Sequence, residues 1–198
     1  VKKLNPKCKV YGVQAQGAAS MVQAVVDKQL ESLEEVHTFA DGIAVKSPGN
    51  LSFEMVREYV DELVTVSDDE IAAAILTLME KQKIVSEGAG AVSVAAVLYH
   101  KVPVKGKKVV CIISGGNIDV NILSRVINRG LMKTGRKASL CISLLDKPGQ
   151  LEEVSRIIAE LGANVTKVDH NMNVEDADIN GCNLTLQIET RDFHHIEE

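Results

Sequence analysis

Aromatic residues are nearly missing from this chain. It has no tryptophan, three tyrosines and three phenylalanines among 198 residues, too few to serve anything but packing. Excess positive charge is missing too. Lysine and arginine number 22 against 27 acidic residues, a net charge of −5 without a basic stripe, which excludes nucleic acid as the expected partner. No apolar run approaches the ~18 residues of a membrane helix, so no membrane partner is expected. The N-terminal VKKLNPKCKV has no apolar core behind its lysines, which excludes a signal peptide. It also lacks an initiator Met, so the chain reads as starting within a longer polypeptide. Cys8, Cys111, Cys141 and Cys182 form no CxxC or Cys/His spacing. No zinc motif is read, and reduced, mostly buried thiols of a cytoplasmic protein are expected. His37, His100, His170, His194 and His195 build no metal site with a carboxylate at helical spacing, and all five read as surface or capping residues. Internal repeats and low-complexity segments are absent.

What is present is enough for a sizeable core: 45% of the residues are hydrophobic. KVYGVQ (9–14) alternates and predicts a strand. SMVQAVVDKQL places Met21, Val25 and Leu30 on one helical face. HTFADGIAVKSPGN (37–50) carries Asp-Gly and Pro-Gly and predicts turns. A helix over 51–60 and a strand over 61–67 follow. Ser67 and Glu70 form a capping box that opens a helix from Asp68 to about Gln82. Gly88 and Gly90 lie between Glu87 and an Ala-rich helix. Val109–Ile113 predicts a strand, Ser114-Gly115-Gly116-Asn117 a turn, and Asp119–Leu131 a helix. Strands alternating with helices indicate an open, mostly parallel α/β sheet. After Lys133–Arg136 the order becomes β-α-β-β-α: strand 137–146, the turn KPGQ, helix 151–161, strand 162–170, the acidic bend NMNVEDADING, strand 182–189, and a helix start. That is one strand short of a ferredoxin-like unit. The domain reading is 1–132, a linker over 133–136, and 137–198.

Two turns can carry chemistry. Ser114-Gly115-Gly116-Asn117 sits at the carboxyl end of a predicted strand, where open α/β sheets keep their ligands. It can be a plain strand-to-helix turn, a phosphate nest at a helix N-terminus, or a hydroxyl aimed at a heteroaromatic nitrogen. Glu87 is either a solvated carboxylate favoured by the helix dipole or an acid at the lip of the same cleft. In DKPGQL (146–151), the helix N-terminus behind Pro148 and Gly149 offers backbone N–H groups that suit a carboxylate. The alternative is a structural turn.

KVYGVQAQGAASM, FADGIAVKSPG, SEGAGAVSVAAVL and KKVVCIISGGNIDVNILSRVI, in this order, resemble the C-terminal half of the catalytic domain of threonine dehydratases, fold type II pyridoxal-phosphate enzymes related to serine racemase and serine dehydratase. LLDKPGQL and GANVTKVDHN resemble an ACT domain, a small amino-acid-sensing module, left incomplete here. The resemblance implies pyridoxal 5'-phosphate as cofactor. Ser114 would hydrogen-bond the pyridine nitrogen, Gly115, Gly116 and Asn117 would form the turn beneath the ring, and Glu87 and Gly88 would lie near its face. It implies conversion of L-threonine to 2-oxobutanoate and ammonia, with L-serine to pyruvate as a side activity. It further implies a homo-oligomer, a dimer or tetramer, with an amino-acid effector at Asp146, Gly149, Gln150 and Leu151 and with Asn164 across the interface. The Schiff-base lysine motif and the glycine-rich phosphate loop do not occur in these 198 residues, so this chain is expected to be a fragment that does not catalyse alone. Some relatives hold a metal at the positions of Gln14 and Ser20, and these residue types do not favour one. The alternatives are a non-catalytic amino-acid-binding regulatory protein and a serine dehydratase or racemase.

Overall fold

The computed structural model describes residues 1–172 and 180–198. Most of the acidic bend, residues 173–179, lies outside the described residues. The chain divides into two compact units, Val1–Gly130 and Leu131–Glu198.

In the first unit, strands β1 (Tyr11–Ala15) and β2 (Glu62–Val66) form a parallel pair, with Tyr11 opposite Glu62 and Ala15 opposite Val66. Helix α1 (Ser20–Asp27) ends where Lys28 turns left-handed, so the expected partnership of Leu30 with Met21 and Val25 on one helical face does not form. Helix α2 (Asn50–Tyr59) leads into β2, and α3 (Asp68–Thr77) continues as a π-helical turn over Leu78–Gln82. The capping box forms as expected: the Glu70 N–H donates to Ser67 Oγ and the Ser67 N–H to Glu70 Oε2. Ser67→Ala should cost about 1 kcal/mol, read as a lower urea midpoint. Glu70 itself is buried and is offset by Lys101 Nζ at 3.0 Å.

Helices α3 and α4 (Gly88–Leu98) are buried almost all round, which a helix at the centre of a core requires. Their contact is made from small residues, Ala72, Ala74, Ala91, Ala95 and Ala96, around Ile71 and Ile75. Helix α5 (Val120–Lys133) adds Val126 to this core, and Gly130 lets its backbone approach Ala72 O, since a Cβ there would stand 3.1 Å from that oxygen.

The strand expected over Val109–Ile113 does not form. A strand needs a ladder partner, and neither β1 nor β2 pairs with this stretch. It runs extended along α4 instead, held where Ser93 Oγ donates to Ile112 O. Val110 and Ile112 are left 89% and 76% exposed.

The N-terminal segment is tied to β2 by Asp61, whose carboxylate takes Lys2, Lys9 and the Val10 N–H. The Lys2 hydrogen bond, then that of Val10, holds the Asp61 carboxyl well below the usual carboxylate range. A depressed carboxylate contributes stability that is complete above its unfolded-state pKa and fades as the pH falls below it. Acid titration should therefore loosen this segment below about pH 4, and Asp61→Asn should remove that part of the pH dependence.

In the second unit, β3 (Lys137–Leu145), β5 (Gly181–Glu189) and β4 (Asn164–Asn171) form an antiparallel sheet in the order β3-β5-β4. Helix α6 (Gln150–Glu160) follows β3 and packs on β4, and α7 (Phe193–Glu197) ends the chain. This is the expected β-α-β-β-α order. Leu184, Leu186 and Ile188 of β5 and Ile158 of α6 form the core. Side chains alternate across a strand, so Cys141 of β3 falls on the outer face and is exposed. Cys8 and Cys111 are half-buried and Cys182 alone of the four free thiols is buried, against the expectation of mostly buried cysteines. Of the two expectations for His195, surface or capping, the capping one describes it. It is buried, its Nδ1 accepts from the Arg191 N–H, and its Nε2 meets Leu161 O beyond the end of α6 at 2.9 Å.

Candidate cofactor-binding site

Three loops of the first unit converge on the N-terminus of α4. The turn around Asp41–Ile43 is placed from α3: Thr38 Oγ1 donates to Asp68 Oδ1 at 2.6 Å, and the Phe39 N–H donates to Asp68 Oδ2. That brings Ala40 so close to Gly88 that a Cβ on Gly88 would lie 2.8 Å from Ala40 Cα. Glu87 is the N-cap residue of α4, and its N–H donates to Gly115 O at 3.1 Å. The buried Ser86 hydroxyl donates to the same oxygen at 3.2 Å. The Glu87 carboxylate accepts from the Asn117 N–H at 3.2 Å and lies against Gly115 where a side chain would otherwise be. Close approach rather than left-handed backbone is what the glycines supply: a Cβ on Gly90 would lie 2.7 Å from Gly115 O and one on Gly116 2.8 Å from Val85 O.

Glu87, Gly88, Ser114, Gly115, Gly116 and Asn117 are thus brought to one place, although the two groups are separated in sequence by all of α4. Gly90, noted in the sequence beside Gly88, and Ser86, which was not, belong with them. The only signal for Ser86 is its place next to Glu87 and the small-residue run beginning at Gly88.

At the Gln14 position the fold supplies its own closure. The Gln14 side chain donates to Ala18 O at 3.2 Å and accepts from the Val22 N–H at 2.9 Å. Ser20 is buried with its hydroxyl unpartnered among the described residues.

In the second unit, Asp146, Gly149, Gln150 and Leu151 lie along the turn from β3 into α6. Gly149 has φ 95° and is the N-cap residue without a side-chain cap. The Asp146 N–H donates to Asn180 O at 2.7 Å. Asn164 lies at the other end of the sheet in the same copy. It stands opposite Glu189, as Lys137 does, and bonds its carboxylate at 3.0 Å.

Parallel strands, an Ala-rich buried helix, and a Ser-Gly-Gly turn held under that helix's N-terminus are the features of a pyridoxal-phosphate enzyme half-domain. The chain belongs to the pyridoxal-phosphate dependent enzyme family, whose model matches residues 1–115. It is similar to an L-threonine ammonia-lyase of Thermotoga maritima, 52% identical over all 198 residues. The match takes in 49% of that relative, so the chain spans about half the length of the curated protein. Among solved structures it is similar to the processed form of threonine deaminase isoform 2 from Solanum lycopersicum, 33% identical with a TM-score of 0.59, covering 65% of this chain and 38% of that one. It is also similar to a serine racemase from Dictyostelium discoideum, 34% identical with a TM-score of 0.55, covering 60% of this chain and 38% of that one. Among the described residues, no helix is long and apolar enough to cross a membrane.

The residues present fit the family's cofactor. Ser114 is exposed, and its hydroxyl is not taken by a neighbour among the described residues. Gly115 and Gly116 let Glu87 and Val85 close against the turn, and its peptide is fixed by two donors to Gly115 O.

Proposed function

We propose that this chain is the C-terminal part of a pyridoxal-phosphate-dependent L-threonine ammonia-lyase, which converts L-threonine to 2-oxobutanoate and ammonia and takes L-serine to pyruvate as a side activity. The observation that carries the reading is the Ser114–Asn117 turn, pinned by Ser86 and Glu87 under the N-terminus of α4, in a chain 52% identical over its whole length to a lyase of that name. When bound, pyridoxal phosphate supplies an electron sink for the carbon that bears the substrate's amino group. Ser114 would meet the ring nitrogen with a neutral hydroxyl, where a carboxylate would keep that nitrogen protonated. The weaker sink suits loss of the β-hydroxyl over transamination. Glu87 holds the turn rather than acting on substrate, since its carboxylate is engaged by the Asn117 N–H. Exposed Val110 and Ile112 form an apolar patch that the rest of the longer polypeptide would cover.

Residues 137–198 would be the incomplete ACT domain, following a catalytic part over 1–132 and a linker over 133–136. The β-α-β-β-α order and the uncapped turn at Gly149 support this. An amino-acid effector would place its carboxylate at the N–H groups behind Gly149, beside Asp146, Gln150 and Leu151. Asn164 can reach that turn only from a second copy, so a closed dimer or tetramer in the cytoplasm is proposed.

The racemase likeness keeps a second reading open to test. The full-length protein should be assayed with L-threonine and L-serine for keto acid and for D-serine. Keto acid from threonine with the higher kcat/KM supports the lyase, and D-serine as main product overturns it. Calorimetry with the twenty amino acids, before and after Gly149→Val, tests the effector turn.

A further inference from the structure

Asp146, His170 and Cys182 lie far apart in the chain and share no motif. The sheet register brings them together. Leu144 stands opposite Cys182 on the antiparallel β3–β5 pair, and the Asp146 N–H to Asn180 O bond carries that register one step further. On the other side of β5, His170 stands opposite Leu184. Directly opposed side chains share a face. Cys182 and Leu184 belong to the buried face of β5, where every second residue from Cys182 to Ile188 is buried. Asp146, His170 and Cys182 therefore point to the same face at one end of the sheet. A carboxylate oxygen, an imidazole nitrogen and the thiol sulfur all lie within 4.8 Å of one another.

We infer that these three side chains form a binding site for a zinc-class divalent ion. The donor set is mixed sulfur, nitrogen and oxygen, which suits zinc and excludes magnesium and calcium, ions that take oxygen ligands. Around a tetrahedral zinc the ligand atoms lie about 3.5 Å apart, so the observed spread closes by small side-chain rotations without moving the strands. The thiol is almost fully buried, at 3% exposure, while the carboxylate and imidazole are exposed. The ion would thus sit at the rim with its sulfur ligand inside and a fourth position open to water or to a small amine or carboxylate. Among the described residues no hydrogen bond engages the Cys182 sulfur or the Asp146 carboxylate. Binding would release the Cys182 thiol proton to solvent and leave a thiolate on the metal. Asp146 also opens the turn into α6, so the ion would fix the β3 end of that turn. The inference is independent of the lyase reading and stands or falls without it.

The test uses the metal-free full-length protein and zinc alone. Equilibrium dialysis should give one zinc per chain, and zinc-edge X-ray absorption should show one sulfur with nitrogen and oxygen neighbours. Asp146→Asn and His170→Ala, both exposed and so tolerated by the fold, should each weaken binding by at least about tenfold. Cys182→Ser should remove the sulfur neighbour, and joint replacement of Cys8, Cys111 and Cys141 by serine should change nothing. Absence of stoichiometric zinc, or a sulfur neighbour that survives Cys182→Ser, overturns the site.

Discussion

If the proposed lyase reading holds, Ser114→Ala in the full-length protein should lower kcat for threonine by about 10- to 100-fold, the worth of one hydrogen bond to a polar ring atom. Folding is unaffected, because Ser114 is exposed and its hydroxyl bonds no neighbour among the described residues. The measurement is steady-state 2-oxobutanoate release together with the absorption band of the bound cofactor, which shifts when the contact at the ring nitrogen is lost. Ser114→Thr, which keeps the hydroxyl, should recover most of the rate. A rate within twofold of wild type for Ser114→Ala would remove Ser114 from the site.

Gly90→Val should strongly destabilise the first unit. Its Cβ would lie 2.6 Å from Ser86 Oγ and 2.7 Å from Gly115 O. The serine can rotate away, but the carbonyl belongs to the turn and cannot move without breaking its bonds to Glu87 and Ser86. Overpacking and two lost hydrogen bonds together cost about 3 kcal/mol or more. The urea midpoint should fall and cofactor retention should fall with it. Gly149→Ala is the contrast. No atom lies within 4 Å of the added Cβ, and only the positive φ opposes it, so about 1 kcal/mol is expected. Equal losses for both would mean that the close approach at Gly90 is not what holds the turn.

Local chemistry was legible in the residues themselves. The capping box at Ser67 and Glu70 reads directly because it is complete within one turn of chain. Strands β1 to β5 and helices α2 to α7 follow hydrophobic period and turn residues, which are local too. The end of α1 was not legible: the apolar period continues to Leu30, but Lys28 takes a left-handed conformation and stops the helix at Asp27. Val109–Ile113 has the composition of a strand without being one, because pairing is a property of the partner and no composition supplies it. His195 reads as a surface or capping residue, and the fold takes the second course by burying it against Leu161 O at the end of α6.

The sequence by itself determined that this is an α/β chain with a Ser-Gly-Gly turn of a pyridoxal-phosphate enzyme, since those motifs are contiguous and their order is written in the chain. Only the tertiary structure decided what lies beside what. It alone set Glu87 and Ser86 against Gly115, filled the Gln14 loop with its own side-chain hydrogen bonds, left Asn164 at the far end of its sheet from Asp146, and gathered Asp146, His170 and Cys182. Each of these depends on strand register or helix approach, and those are fixed by long-range packing rather than by any local run of residues.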